Sequence, residues 1–231
     1  YSGYSPYLLK LIPYCKKNNI KLVFDCVEWY QPKNSYEYFF KPYYWNIEFS
    51  MRCLIPKCDG VICISKYLES YYSEKGLKVI NVPPTLYISS LPKKSIPELK
   101  RRIKLVYCGN PGHKDSLDTI LNIVSRFKDF FELDIAGVQG NNTENIKYHG
   151  QLSHANSIDL VSKSHFSILF RPDNKIAKAG FSTKVVESMS CGTPVITNNT
   201  GDLSYYIDDD VNGYIFEGFS ARCYFKLKRI L

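Results

Sequence analysis

Residues 179–213 combine a small-residue loop, a short helix and a short strand. Ser182 and Thr183 can cap the helix, whose apolar residues recur at helical spacing until Gly192 allows a left-handed end. The β-branched run 195–197 follows at once; it is too short for a helix and typical of a buried parallel strand. A loop, a helix and a buried strand in this order predict an α/β fold with a parallel sheet.

The loop before this helix predicts a phosphate site. Ala179 and Gly180 form the small-residue loop, and the helix N-terminus after it presents N–H groups and the positive end of the helix dipole. Glu187 lies one turn further on and can accept hydrogen bonds from a pair of hydroxyl groups. Phosphate and hydroxyl recognition together predict a nucleotide-sugar site. The alternative is an ordinary strand–helix–strand unit without a ligand.

The run G-F-S-T-K-V-V-E-S, from Gly180 to Ser188, resembles the donor-binding signature of the family-4 (group 1) glycosyltransferases, in the branch that makes surface polysaccharides. Glu187 matches the second glutamate of the family pattern, and residues 192–195 match its G-x-P-V. By this resemblance Glu187 holds the ribose of the donor. Ala179 stands where the family has its first glutamate, which touches the donor sugar, so the sugar-binding part of the site departs from the pattern.

The resemblance implies a GT-B architecture, in which two Rossmann-like domains with parallel sheets flank a cleft. It also implies a retaining, metal-independent enzyme that needs no cofactor and moves a sugar from a UDP- or GDP-sugar. The acceptor is a saccharide or a lipid-linked saccharide at the cytoplasmic face of the membrane. Positioning and stabilisation of the departing diphosphate would supply most of the catalysis. The sequence identifies no general base.

A second glycine-containing loop, 109–115, follows the apolar run 103–108 and precedes an amphipathic helix. Glycine lets a ligand approach the backbone, and Lys114 supplies a mobile positive charge for a diphosphate. Arg171 follows the strand 166–170 directly and offers a second cation; a surface arginine is the alternative. The predicted donor-binding residues are therefore Gly109, Asn110, Lys114, Arg171, Gly180, Phe181, Ser182, Thr183, Lys184 and Glu187.

The acceptor side is assigned to Asp25, near the end of the apolar strand 20–27, and to Glu28, which follows this strand directly. Polar residues at the carboxyl end of a parallel strand lie where open α/β sheets bind ligands. The segment D-C-V-E-W-Y that contains them also resembles the same glycosyltransferase branch. The alternative is that both carboxylates cap the next turn.

The aromatic-rich stretch 36–55 is helical in pattern and interrupted by Pro42. We expect its tyrosine and tryptophan rings to pack in a core. The alternative is contact with a lipid-linked acceptor at a membrane surface, where amphipathic aromatic rings are favoured.

Alternating strands and helices continue along the chain and predict two domains, at 1–92 and 93–231, joined through Pro83-Pro84 and a polar segment. The amino-terminal domain contains few strand–helix units, so we expect it to be incomplete. A helix is predicted at 221–230. We expect the chain to be a fragment that binds a nucleoside diphosphate weakly and transfers no sugar until the missing amino-terminal part is restored.

The eight cysteines never form a C-x-x-C pair, which predicts reduced, buried thiols and a cytoplasmic protein. Peripheral contact at the inner face of the membrane is a separate expectation, because a basic surface attracts the anionic headgroups of the cytoplasmic leaflet. The formal net charge of +8 includes the clusters 93–94, 100–104 and 226–229, but no nucleic-acid-binding motif accompanies them. Asp208-Asp209-Asp210 imitates a metal motif, yet the following Asn-Gly predicts a turn. No metal site is expected.

Two other functions share these features. A nucleotide-sugar epimerase of related architecture would use the same phosphate loops. A non-catalytic or inactive nucleotide-sugar-binding remnant would share everything except turnover, and Ala179 in place of the first glutamate favours it.

Overall fold

The computed structural model describes residues 5–32, 34–95, 102–112 and 114–216. The chain divides into two compact units. The first comprises Tyr1–Pro84 together with Asp173–Phe181, and the second comprises Thr85–Pro172 together with Ser182–Leu231. A short segment late in the chain therefore folds with the first unit. The domain boundary between residues 92 and 93 stays a prediction.

The first unit begins with alternating helices and strands, and its three strands pair in parallel in the order β1-β2-β3. The apolar runs predict strands at 20–27, 60–65 and 78–82, and all three are confirmed with shorter bounds. The strands are β1 (Val23–Cys26), β2 (Gly60–Cys63) and β3 (Lys78–Asn81). The helices are α1 (Ser5–Lys17), α2 (Ser35–Phe40), α3 (Pro42–Phe49) and α4 (Lys66–Ser73), and α3 runs on into a π-helical turn, Ser50–Leu54, and a 3-10 turn, Ile55–Lys57.

The core of the first unit lies on one face of this sheet, because side chains alternate between faces along a strand. Phe24 and Cys26 of β1 and Val61 and Cys63 of β2 all belong to one buried cluster with α1 and α4. Leu8, Ile12 and Cys15 form the buried side of α1. Helix α1 contains Pro13 and continues past it to Lys17. The burial of these side chains therefore outweighs the destabilisation that a proline causes inside a helix.

The expected burial of the aromatic stretch is wrong for most of its rings. Helix α2 buries no side chain, and Tyr36 and Phe40 are each 68% exposed. Trp45 of α3 is 53% exposed, and Ile47 is the buried residue of that helix. Buried apolar side chains come mainly from the π-helical and 3-10 turns that follow, so α2 and α3 present an aromatic face to solvent.

The second unit opens with a strand–helix series that the apolar runs predict closely. The apolar runs 103–108 and 131–136 predict strands with the bounds observed, and the helix predicted at 153–162 begins one residue later than expected. The elements are β4 (Ile103–Cys108), α5 (Leu117–Arg126), β5 (Phe131–Ala136), β6 (Ile146–Tyr148), α6 (His154–Ser162) and β7 (Phe166–Leu169).

The chain then returns to the first unit as helix α7 (Lys175–Ala179), which the sequence did not reveal. The Asn174 side chain caps α7 by accepting a hydrogen bond from the Ala177 N–H at 2.9 Å. Ala179 ends this helix and is fully buried in the first unit's core, so the small-residue loop expected at this position is wrong. The Ser65 hydroxyl, which also caps α4, donates to the Ala179 carbonyl at 2.8 Å.

The second unit resumes with α8 (Thr183–Ser190), β8 (Val195–Asn198) and β9 (Gly213–Phe216). Its six strands are all parallel, in the order β6-β5-β4-β7-β8-β9. The first three run outward from β4 and the last three outward from β7, so the predicted doubly wound sheet is confirmed. The order reverses between β4 and β7.

Several sequence features lie elsewhere than expected or beyond the described residues. Lys94 is not a solvated lysine, because its ammonium donates to the Ser164 carbonyl and, at 3.0 Å, to the Thr193 hydroxyl. Burial lowers the pKa of Lys94. Cys53 is exposed, whereas most other described cysteines are buried. The helix predicted at 221–230, His113, Lys100 and Arg101, and the 226–229 cluster lie outside the described residues.

Helix α7 is attached to the rest of the first unit by the half-buried carboxylate of Glu48, whose side chain is 17% exposed. It accepts hydrogen bonds from the Trp29 indole at 2.8 Å, Lys175 at 2.7 Å and Arg52 at 2.6 Å. The Lys175 ammonium also lies 4.2 Å from the centroid of the Trp29 ring. Burial acts to raise the pKa of Glu48, but the hydrogen bonds from Lys175, Arg52 and Trp29 outweigh it and lower this pKa.

We predict that Glu48→Gln lowers the free energy of unfolding of the first unit by about 1–3 kcal/mol, because Lys175 and Arg52 lose the carboxylate that neutralises them. Urea unfolding followed by tryptophan fluorescence reports on this unit alone, since both tryptophans of the chain, Trp29 and Trp45, lie in it. The contribution should persist above the ordinary glutamate pKa of about 4.3 and be lost as the pH falls through the lowered value.

Glu69→Gln is the matched control, since Glu69 pairs with Lys66 at 3.1 Å in a more exposed setting on α4. This change should alter stability by less than about 0.5 kcal/mol. Equal losses for the two variants, or a Glu48→Gln effect that does not shrink in acid, would contradict the assignment.

Candidate functional site

The point where the strand order reverses is the expected ligand position in the second unit. In open α/β sheets, ligands bind beyond the carboxyl ends of the strands where neighbouring strands lead their connections in opposite directions. Here those strands are β4 and β7. The chain leaves β4 at Gly109 and β7 at Phe170, and the Ser116 N–H after the first loop donates to the Phe170 carbonyl at 2.7 Å. This hydrogen bond holds the loop after β4 next to the loop after β7.

Glycine is required at the start of the loop after β4. Gly109 has φ +128°, and a Cβ there would lie 2.4 Å from Cε of Lys184. This φ strains the backbone of any residue with a side chain, and such a side chain would also displace the end of Lys184. Asn110 shapes the next turn, since its side-chain oxygen accepts from the Gly112 N–H at 3.0 Å. Two predicted donor-binding residues, Gly109 and Lys184, thus meet although they lie far apart in sequence.

A buried carboxylate, Asp115, lies at the centre of the site, and its side chain is only 3% exposed. Its Oδ2 accepts from the Tyr107 hydroxyl at 2.7 Å and from the Lys184 ammonium at 2.9 Å. Its Oδ1 lies 3.7 Å from Nε of Arg171. The residue that joins the predicted cations was not predicted from sequence. A buried aspartate needs such partners, because an unpaired ion in the interior is unstable.

Tyr107 acts as a hydrogen-bond donor in this cluster. Burial raises the pKa of Tyr107, and the neighbouring Asp115 carboxylate raises it further. The phenol therefore stays protonated and donates to Asp115 at any ordinary pH. A neutral donor and two cations then share the charge of one carboxylate, which leaves an excess of positive charge at this edge of the sheet.

Arg171 is held within the fold. Its side chain is 5% exposed, and Nε donates to the Lys114 carbonyl at 3.4 Å. Its backbone N–H donates to the Asn198 side chain at 2.9 Å, and the same side chain donates back to the Arg171 carbonyl at 2.7 Å. Lys114 is half-buried next to Asp115 in the loop. The structure thus brings Lys114, Arg171 and Lys184 to one place.

Helix α8 begins beside this cluster and carries Glu187. Ser182 occupies the capping position, but its side chain is buried and makes no capping hydrogen bond, so the predicted cap is wrong. Thr183 and Lys184 form the first turn. Oε1 of Glu187 lies 3.1 Å from Nε2 of His154, the first residue of α6. His154 was not predicted as a site residue; its distance of 33 positions from Glu187 hides the contact in the sequence.

The remaining predicted residues belong to the first unit. Glu28 lies half-buried beyond β1, whereas Asp25 is exposed on β1 itself. Gly180 follows α7 in an extended conformation, and a Cβ there would meet Cγ of Glu28 at 3.9 Å. Glu28 and Gly180 are therefore neighbours within the first unit, and Phe181 is its last residue.

A comparison with protein-family models matches residues 87–224 to the model described as "Glycosyl transferases group 1", which covers more than half of the chain. The chain belongs to the group 1 glycosyltransferases. This confirms the resemblance seen in the 180–188 run, although the model also covers residues beyond those that the structure describes. A search of curated protein sequences gives no match to this chain.

Solved glycosyltransferase structures confirm the fold. TarM is 14% identical to this chain with a TM-score of 0.65, and the match covers 92% of this chain and 43% of TarM. A second TarM structure names S. aureus as its source. HepE of Anabaena with UDP is 12% identical with a TM-score of 0.63, over 96% and 65%. The lipopolysaccharide outer core galactosyltransferase WaaB is 13% identical with a TM-score of 0.61, over 96% and 68%. This group 1 glycosyltransferase chain therefore has a GT-B-like fold and spans less than half of TarM.

The Asp208-Asp209-Asp210 run of this glycosyltransferase forms a turn, as predicted. The Val211 and Asn212 N–H groups donate to the Asp208 carbonyl, and Asp210 has φ +66°. The Asp209 carboxylate accepts from the Ile215 N–H at 2.9 Å. Among the described residues, no group of three or more histidine, cysteine, aspartate or glutamate side chains could hold a metal ion. None of the described helices is long and apolar enough to cross a membrane.

Proposed function

We propose that this chain carries the donor site of an enzyme that transfers a sugar from a UDP- or GDP-sugar to a saccharide or lipid-linked acceptor in cell-surface polysaccharide biosynthesis. The observation that carries the proposal is one arrangement at the reversal point of the six-stranded sheet: Glu187 stands one turn into α8, and Lys184, Arg171 and Lys114 cluster at its start. Membership of the group 1 glycosyltransferases supports the reaction class. UDP in HepE and the lipopolysaccharide role of WaaB support the donor and acceptor classes.

Each part of the donor would meet a group suited to it. Glu187 would accept hydrogen bonds from the ribose hydroxyls, and Lys114 and Lys184 would contact the diphosphate. Arg171 is 5% exposed and would add its positive charge from within the fold. Gly109 and Asn110 would let the diphosphate approach the backbone. Ser182 and Thr183 would meet it at the N-terminus of α8. Stabilising the departing diphosphate lowers the barrier to breaking the glycosidic bond of the donor.

The predicted acceptor-side residues, and Gly180 and Phe181 of the predicted donor set, belong to the first unit. Gly180 and Phe181 lie next to Ala179, the position where the family has its first glutamate. Ala179 is buried and cannot hydrogen-bond a sugar hydroxyl through its side chain. We propose that Asp25 and Glu28 serve the acceptor, because Asp25 is exposed on β1, Glu28 follows this strand, and Glu28 adjoins Gly180.

We predict that Glu187→Ala weakens binding of the cognate nucleoside diphosphate about ten- to a hundredfold, because hydrogen bonds to a charged group contribute roughly 1.5–3 kcal/mol. Isothermal calorimetry of the chain with UDP and with GDP measures this. Binding should persist in EDTA, since lysine and arginine side chains carry the positive charge at the diphosphate.

Glu132→Ala, on an exposed position of β5, is the control and should leave affinity unchanged. Equal affinity of the Glu187→Ala variant and the unchanged chain would remove Glu187 from the ribose. A large loss of affinity in EDTA would require a metal.

We predict transfer with retention by the complete natural protein that contains this sequence. Incubated with the cognate nucleotide sugar and a polysaccharide precursor, it should form a linkage with the donor's anomeric configuration, which proton NMR of the product reports. Isomerised donor without transfer would select an epimerase. Donor binding without any turnover would select an inactive remnant, which the alanine at position 179 favours.

We also propose that the protein works at the cytoplasmic face of the membrane and touches it through the aromatic face of α2 and α3. Phe39 and Phe40 are 62% and 68% exposed there, beside exposed tyrosine and tryptophan rings that suit a membrane–water boundary. Replacing both with serine should weaken co-sedimentation with phosphatidylglycerol vesicles roughly tenfold, because apolar ring area then stays in water. Tyr205→Ser, on an exposed ring of the second unit, should change nothing; equal losses or no vesicle binding would refute the contact.

A further inference from the structure

We propose that Asp115 is a positioning residue that anchors Lys184 for the donor diphosphate. The inference rests on the proposed function and assigns a role to a residue that itself is too buried to meet the donor. Asp115 lies in the loop after β4, and Lys184 lies in the first turn of α8. Their 2.9 Å ion pair therefore joins the glycine loop to the helix whose N-terminus faces the same edge.

Asp115 and Lys184 differ in exposure, as expected if the buried residue holds the exposed one in place. The Asp115 side chain is 3% exposed and cannot reach a ligand, whereas the Lys184 side chain is 25% exposed. A lysine ammonium has three donors. One donor direction is taken by Asp115, so the ammonium can bind a phosphate oxygen without releasing its anchor.

The path of the Lys184 side chain fits this role. It lies across Gly109, where a Cβ would be 2.4 Å from Cε and 3.1 Å from Nζ of the lysine. The Tyr107 ring lies beneath, with its centroid 5.7 Å from Nζ. A flexible side chain is thus confined by a glycine, an aromatic ring and a carboxylate. Confinement before binding removes much of the rotamer entropy that a free lysine would lose on binding.

Charge alone would give the opposite effect. Asp115 is an anion close to Lys184 and Arg171, and it reduces the positive potential that a diphosphate would meet. If the carboxylate acted only through this charge, its removal would tighten diphosphate binding. If it acts by anchoring, its removal frees Lys184, leaves Arg171 buried without its carboxylate, and weakens binding. The two accounts therefore differ in the sign of one measured change.

Tyr107 provides a second and gentler probe. Its hydroxyl donates to the same Asp115 oxygen as Lys184, at 2.7 Å, and so helps to orient the carboxylate. Tyr107→Phe keeps the ring under Lys184 and removes only this hydrogen bond. It should shift binding in the same direction as Asp115→Asn, by a smaller factor.

The experiment measures phosphate selectivity by calorimetry on the whole chain. UDP is compared with uridine, and GDP with guanosine, for Asp115→Asn, Tyr107→Phe and the control Asp118→Asn on the exposed start of α5. We expect Asp115→Asn to lose about tenfold in affinity for the diphosphate and less than twofold for the nucleoside, and Tyr107→Phe to lose about threefold for the diphosphate. Asp118→Asn should match the unchanged chain, and circular dichroism verifies that each variant is folded.

Tighter diphosphate binding by Asp115→Asn would overturn the anchoring role and show that Asp115 acts on the diphosphate only by charge repulsion. Equal losses for nucleoside and diphosphate would reduce it to a residue that supports the fold. If Asp115→Asn does not fold, Tyr107→Phe decides by the same selectivity ratio. Failure of the unchanged chain to bind UDP or GDP would overturn the proposed function itself, and the role of Asp115 with it. Normal binding with unchanged selectivity in the variants would overturn only this inference.

Discussion

Parallel pairing of β4 with β7 is the constraint on which the second unit depends. Parallel strands end on the same edge of a sheet, so the loops after β4 and β7 emerge together, and the order reversal between these strands leaves room beyond them. Burial holds the pairing in place, because most side chains of β4 and β7 are inaccessible to water and neither strand can slip without exposing apolar surface. The position of every proposed donor group in this unit follows from that edge.

Each unit contains one carboxylate, half-buried in the first unit and buried in the second, that is neutralised in the same way. Glu48 and Asp115 are each surrounded by one lysine, one arginine and one neutral aromatic donor, an indole in the first case and a phenol in the second. Two cations around one carboxylate more than offset its charge, and the aromatic donor occupies a further lone pair. Each cluster joins segments that are remote in sequence, so its loss would loosen the chain at that point as well as cost stability.

The return of residues 173–181 to the first unit changes how the donor motif is understood. In sequence, Gly180 and Phe181 are continuous with α8, yet they fold with the unit that contains Asp25 and Glu28. The Glu48 cluster and the Ser65 hydrogen bond to Ala179 hold this segment through side chains. The donor motif is thus divided between the two units within a few residues, and the sequence pattern does not reveal this division.

The sequence alone determined the class of fold, the bounds of β4 and β5, the turn at Asp208-Asp209-Asp210 and the family. Continuous apolar runs, helical spacing and turn residues act over a few positions, so these local patterns can be recognised in the sequence alone. Helix α7, the exposure of the α2 and α3 rings and the two carboxylate clusters needed the tertiary structure. The ion pair of Asp115 with Lys184 spans 69 positions and that of Glu48 with Lys175 spans 127, and only the packing of whole elements brings such partners together. Exposure is decided in the same way, because an aromatic ring is buried only if another element covers it.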